Sequence, residues 1–140
     1  MTADDIIALL DLSPHPEGGW YRQTWIAEGE GRPSGSCIYF LLKADERSHW
    51  HRVDAAEIWH HYAGAPLTLS MAETAAGPAC DHQLGPDLAA GERPQIVVPA
   101  HHWQAARSLG DWTLVGCTVS PSFRFDGFEL APDGFAIPSA

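Results

Sequence analysis

The segment Ser48-His49-Trp50-His51-Arg52-Val53-Asp54-Ala55-Ala56-Glu57 holds the residues best suited to chemistry. On an extended strand His49 and His51 stand two apart, so both imidazoles project from one face. Val53–Ala56 reads as a turn, and Glu57 opens the returning strand with its carboxylate near both rings. Two imidazoles and one carboxylate with open positions form the ligand set of a catalytic non-haem metal centre. The same trio works without metal, because a histidine titrating near neutrality beside an orienting carboxylate is a general base. By parity Trp59 and His61 share the Glu57 face, and His60 faces the other way.

Further candidates surround this trio. Glu17-Gly18-Gly19 reads either as a plain turn or as a place where a ligand approaches the backbone. In the second case Glu17 and Arg22 reach into the site, with Arg22 as the cation for an anionic substrate. Tyr39 offers a hydroxyl to a ligand or packs in the core. Cys37 and Cys117 lie in apolar runs and read as buried thiols; His82 reads as solvated.

The elements that must position these groups are mostly strands. Thr2 with Asp5 forms a helix-opening box, and Ile6, Ile7, Leu9 and Leu10 give one apolar face; the helix spans about residues 3–12, before Pro14 and Pro16. After it come short runs rich in β-branched and aromatic residues: Trp20–Trp25, Ser36–Leu42, Ser48–Arg52, Glu57–Ala63, Leu67–Ala72, Gln95–Val98, Trp103–Arg107, Trp112–Val119 and Phe123–Leu130. Gly, Pro, Asp and Ser separate them, the signature of an all-β sandwich or barrel. Thr74–Arg93 reads as a hairpin and loop. The runs CIYFLL and WTLVGCTV are apolar on both parities, so a second sheet or a partner subunit covers each face.

Composition narrows the partners. The 140 residues fit one domain, 1–140, large enough for a hydrophobic core. Asp and Glu number 18 against 8 Lys and Arg, a formal charge of −10 that argues against nucleic acid and anionic membranes. No apolar run approaches the ~20 residues of a membrane span. The N-terminus lacks the basic stretch of a signal peptide, and three cysteines without C-x-x-C spacing suggest a reducing, cytoplasmic setting.

The trio also resembles the first cupin motif, H-x-H then Glu, six residues and Gly; here these are His49, His51, Glu57 and Gly64. The counterpart of the second motif, P-x-G-x-x-H, is Pro99-Ala100-His101-His102-Trp103-Gln104, with His101 in the glycine slot and Gln104 where the last metal histidine stands. His15-Pro16-Glu17-Gly18-Gly19-Trp20-Tyr21-Arg22, Ile38–Leu42, Val97–Ala100 and Gly116–Phe123 with Phe128-Glu129-Leu130 are similar to the cupin-5 group of small single-domain cupins, over about residues 4–131. The resemblance implies a double-stranded β-helix (cupin jelly roll) over about 18–131 and a homodimer paired through its sheets. It implies a divalent metal (Zn, Fe, Mn or Ni) on His49, His51, Glu57 and Gln104, if one is bound, with His102 a further pocket candidate.

Three functions follow as expectations. One is an isomerase or epimerase on a small polar metabolite, carbohydrate or nucleotide-sugar-like, with His51 or His49 as base, Glu57 orienting it and Arg22 clamping an anion. Another is a metal-dependent dioxygenase or isomerase on His49, His51 and Glu57. The last is a non-catalytic small-molecule binding module.

Overall fold

The computed structural model describes all of residues 1–140. The chain opens with helix α1 (Ala3–Leu10), whose Thr2 hydroxyl and Asp5 carboxylate cap each other's backbone N–H groups. The helix stops two residues short of the expected end because Asp11 adopts a left-handed conformation, φ 55°. Ile6 and Leu12 bury against Leu41.

Eleven strands follow: β1 (Ser13–Pro14), β2 (Trp20–Ile26), β3 (Ser36–Lys43), β4 (Arg47–Val53), β5 (Ala56–Gly64), β6 (Leu67–Ala72), β7 (Cys80–Leu84), β8 (Gln95–Val98), β9 (Trp103–Ser108), β10 (Trp112–Ser120) and β11 (Phe128–Leu130). They form two antiparallel sheets, one in the order β1-β2-β3-β10-β5-β8 and the other β11-β4-β9-β6-β7. This is the expected all-β jelly roll with a short N-terminal helix. The run Phe123–Leu130 is only half strand: Phe125–Gly127 makes a tight helical turn before β11. No helix is long and apolar enough to cross a membrane.

Between the sheets Phe40, Leu42, Trp59, Leu67, Leu69, Leu84 and Val115 fill one end as a dry core. The other end stays open and polar. The doubly apolar strands are covered unevenly. Helix α1 shields the outer side of β3 and β10 around Leu41 and Leu114, whereas Tyr39 and Ile58 stay half-buried and Tyr62 and Val97 are exposed.

One irregularity governs the site. Between β4 and β9, Ser48 pairs with Ala106 and His51 with Gln104, so three steps on one strand match two on the other. The extra residue is a β-bulge, which breaks the inward–outward alternation of β4.

Candidate functional site

The open end of the jelly roll encloses a cavity of about 210 Å³. Its polar side chains include His15, Glu17, Gln23, Ser36, His51 and Glu57, and its walls include Tyr21, Ile38, Val119, Phe123 and Phe125.

The turn 15–19 delivers Glu17. The Gly18 N–H donates to the His15 carbonyl at 3.0 Å and the His15 N–H to the Gly19 carbonyl at 2.9 Å. Gly18 has φ 111°, and a Cβ there would collide with the Arg47 carbonyl oxygen, so only glycine lets the turn lie on β4. The His49 N–H then donates to the Glu17 carbonyl at 2.8 Å and locks the turn onto the bulge. His15 is part of this device: its Nδ1 accepts the Glu17 N–H at 3.1 Å, and its ring packs edge-on against Tyr21 at 4.5 Å.

His51 faces Glu17 with Nε2 3.6 Å from Oε1. Its Nδ1 lies 2.7 Å from the His49 carbonyl oxygen, which can only accept. Nδ1 therefore carries the proton, and Nε2 presents a lone pair to the cavity. The Ser48 hydroxyl donates to the other Glu17 oxygen. Behind the cavity floor, the Trp59 indole N–H donates to the Gln104 carbonyl oxygen at 2.8 Å, and the Gln104 amide donates to Glu57 at 2.9 Å.

Burial sets the protonation states. It pushes the Glu17 carboxyl up to about 8, against the opposing Ser48 hydroxyl. It pushes Glu57 up to about 7, aided by Glu17 and opposed by His51 and Gln104. It holds His51 below the ordinary histidine value, against the pull of Glu57 and the His49 carbonyl. It lowers His15 to about 4, with His51 adding to the effect. At neutral pH the cavity thus offers a neutral imidazole base beside a protonated carboxylic acid.

The structure brings Glu17, His51 and Glu57 together, with Gln104 behind Glu57, and places the other candidates elsewhere. The bulge turns His49 away from His51: its Nε2 donates to the Pro132 carbonyl at 3.0 Å. Tyr21 and Gln23 face inward, so Arg22 between them faces outward, its guanidinium 5.9 Å from the Tyr39 ring centre. Tyr39 packs edge-on against Tyr62 on that outer surface. Neither supplies an anion clamp or a hydroxyl to the cavity. Trp59 is buried in the core and acts only through Gln104. His61, at the far end of β5, has Nε2 3.1 Å from the Ala65 carbonyl, and His102 lines a separate hollow with Met71, Glu73 and His82. His101, in the glycine slot of the second motif, holds the positive φ of 69° that glycine would favour.

The residues present do not fit the four-ligand metal set. His49 is turned out, both ends of the Gln104 amide are engaged, and no group of three or more His, Cys, Asp or Glu side chains is placed to hold an ion. Sequence reasoning assigned no chemistry to His15, Ser48, Tyr21 and Gln23. The alternation of β2 points to Tyr21 and Gln23 once Arg22 is known to face out, but nothing local to Ser48 announces the bulge.

Known proteins place this geometry in context. The family model described as "Cupin superfamily (DUF985)" matches residues 4–131. No curated protein matches the sequence significantly. A solved protein from Shewanella oneidensis is 46% identical, with TM-score 0.88, over 94% of this chain and 85% of its own. A hypothetical protein from Leishmania major is 28% identical, with TM-score 0.88, over 96% and 90%. Oxalate decarboxylase from Bacillus subtilis, a protein described with Mn(II) centres, shares the fold at 13% identity and TM-score 0.67, over 86% of this chain and 30% of its own. With the family model spanning nearly the whole sequence, the chain belongs to the Cupin_5 family of the cupin superfamily.

Proposed function

We propose that the protein is an acid–base enzyme of the isomerase or epimerase type. It acts on a small, uncharged hydroxy-carbonyl compound of the carbohydrate class and works as a homodimer. The observation that carries this reading is the His51–Glu17 pair, a neutral Nε2 lone pair 3.6 Å from a carboxyl kept protonated by burial. Shifting a hydrogen next to a carbonyl needs a base at the carbon and a proton donor at the oxygen, where charge develops. His51 Nε2 would take the carbon-bound proton as the Glu17 carboxyl donates to the carbonyl oxygen. The enediol would then collapse as His51 returns its proton to the neighbouring carbon and the Glu17 carboxylate takes the proton of the hydroxyl that becomes the new carbonyl, which restores both groups. Glu57, held by Gln104, is placed to orient a substrate hydroxyl.

The lining supports the substrate class. No Lys or Arg reaches the cavity, so a phosphate or carboxylate would meet two acidic side chains and no counter-charge. At about 210 Å³ the space lies below the ~300–1,000 Å³ of drug-sized pockets, which favours a sugar-sized ligand over a nucleotide-sugar. The metal-dependent reading loses the ligand set expected for it. Three unpaired cysteines agree with a reducing compartment.

The test is solvent exchange. Small aldoses and ketoses are incubated with the protein in D2O, and carbon-bound deuterium is read by proton NMR. Enzyme-dependent exchange on one member supports the proposal, with about a hundredfold loss or more expected in His51→Gln and Glu17→Gln. Exchange that survives both substitutions, or saturable binding without exchange, contradicts it.

A further inference from the structure

His15 builds the turn 15–19 with one ring nitrogen and leaves the other unused. Its Nδ1 accepts the Glu17 N–H at 3.1 Å. A backbone N–H can only donate, so Nδ1 is a lone pair and the neutral ring carries its proton on Nε2. The Glu17 Oε1 atom, 3.4 Å from the same Nδ1, belongs to a protonated acid and is compatible with that lone pair. Burial, with His51 adding to it, lowers His15 to about 4, so the ring is uncharged at neutral pH.

The Nε2 proton has no acceptor within the chain. Among side-chain nitrogens and oxygens fully shut off from solvent, His49 Nδ1 alone lacks a partner. His15 Nε2 is therefore not shut off, and the opening it borders is the cavity that His15 lines. The ring is otherwise enclosed, with the ring centres of Tyr21, Phe40, Phe123, Phe125 and Phe128 between 4.5 and 6.3 Å away.

The turn alone does not call for this arrangement. Asparagine and aspartate side chains accept the N–H two residues on and are ordinary choices for such a turn. Histidine does the same through Nδ1 and adds a fixed donor on the far side of the ring.

We propose that His15 is a further catalytic residue of the cavity: its Nε2–H donates to an oxygen of the bound substrate and stabilises the charge that develops there. Its role as a catalyst rests on the acid–base reading of the cavity; its place as a donor rests on the turn. No proton leaves His15 in the reaction. His51 and Glu17 move the substrate protons, while the neutral imidazole polarises the oxygen and keeps its own. Being uncharged, the donor suits a carbonyl or hydroxyl oxygen and offers a phosphate or carboxylate no counter-charge.

The experiment is proton–nitrogen NMR of the His15 ring in the full chain at neutral pH, alone and with excess dihydroxyacetone, D-xylose or D-fructose. The D2O exchange assay on the parent and on His15→Asn accompanies it. The free protein should show the Nε2–H tautomer, and at least one sugar should move the Nε2 resonance downfield. His15→Asn keeps an acceptor for the Glu17 N–H and removes the donor to the cavity. Its exchange should fall about a hundredfold while Glu17 still titrates near 8. An Nδ1–H tautomer or a charged ring at neutral pH, an Nε2 resonance that no sugar moves, or parental exchange in His15→Asn overturns the proposal. A parent whose Nε2 resonance moves with sugar but which exchanges no hydrogen contradicts the acid–base reading and supports the donor at His15.

Discussion

Three of the candidate residues form the chemistry. His51, Glu57 and Glu17 share a cavity whose burial moves their proton affinities in opposite directions, up for the acids and down for the imidazole. This has a consequence for stability. The Glu17 carboxyl is raised from 4.5 to about 8, so the folded chain holds a proton that the unfolded chain releases over that range. The contribution is fully present below the unfolded value and is lost as pH rises through the folded one. Glu17→Gln, which mimics the protonated acid, should flatten the decline in stability between pH 4.5 and 8 and be a few kcal/mol more stable than the parent at pH 8, in thermal or urea unfolding. At this scale the sequence was partly legible. The pairing of His51 with Glu57 follows from strand parity, but the exclusion of His49 depends on a bulge with no local signature. Arg22 drew attention as a rare cation, yet the alternation of β2 places it outside.

At the scale of elements, two pieces of backbone make the site: the turn 15–19 and the bulged strand β4. The glycines of the turn are required by contact as well as by conformation, since Gly18 presses on the Arg47 carbonyl. The strands are readable because β-branched and aromatic runs between turn residues leave few alternatives. The register between strands is less readable, because it is settled by pairing partners distant in sequence. The Trp59–Gln104–Glu57 relay illustrates this: Gln104 occupies a ligand slot in the family motif but here serves as a support linking two strands. Gln104→Leu should cost about 1–3 kcal/mol by leaving the Trp59 N–H and the Glu57 oxygen without partners. Chemical denaturation checks the cost. Substrate-dependent exchange should fall more than stability does, since Glu57 loses its orientation.

For the whole molecule, the apolar runs on both parities of β3 and β10 are explained only in part by helix α1. The outer surface of the six-stranded sheet leaves Tyr62 and Val97 about half exposed, at 51% and 50%, beside half-buried Tyr39 and Ile58. Pairing of two copies across this surface is the proposed arrangement, since a contiguous apolar patch on a sheet favours association. Light scattering on the parent should give the mass of a dimer. Tyr62→Glu should shift it to the mass of a monomer while the circular dichroism spectrum keeps its β signature; a parent chain that scatters as a monomer contradicts the arrangement. The net charge of −10 repels polyanions.

The central claim is that the cavity holds a protonated Glu17 beside a neutral His51. Its most direct test is NMR titration of the side-chain carboxyl carbon of Glu17, labelled with carbon-13 and assigned through Glu17→Gln. The account predicts a carboxyl still protonated at pH 7 that titrates near 8. A midpoint near 4.5, the ordinary glutamate value, would leave His51 without its acid partner and contradict the proposed chemistry.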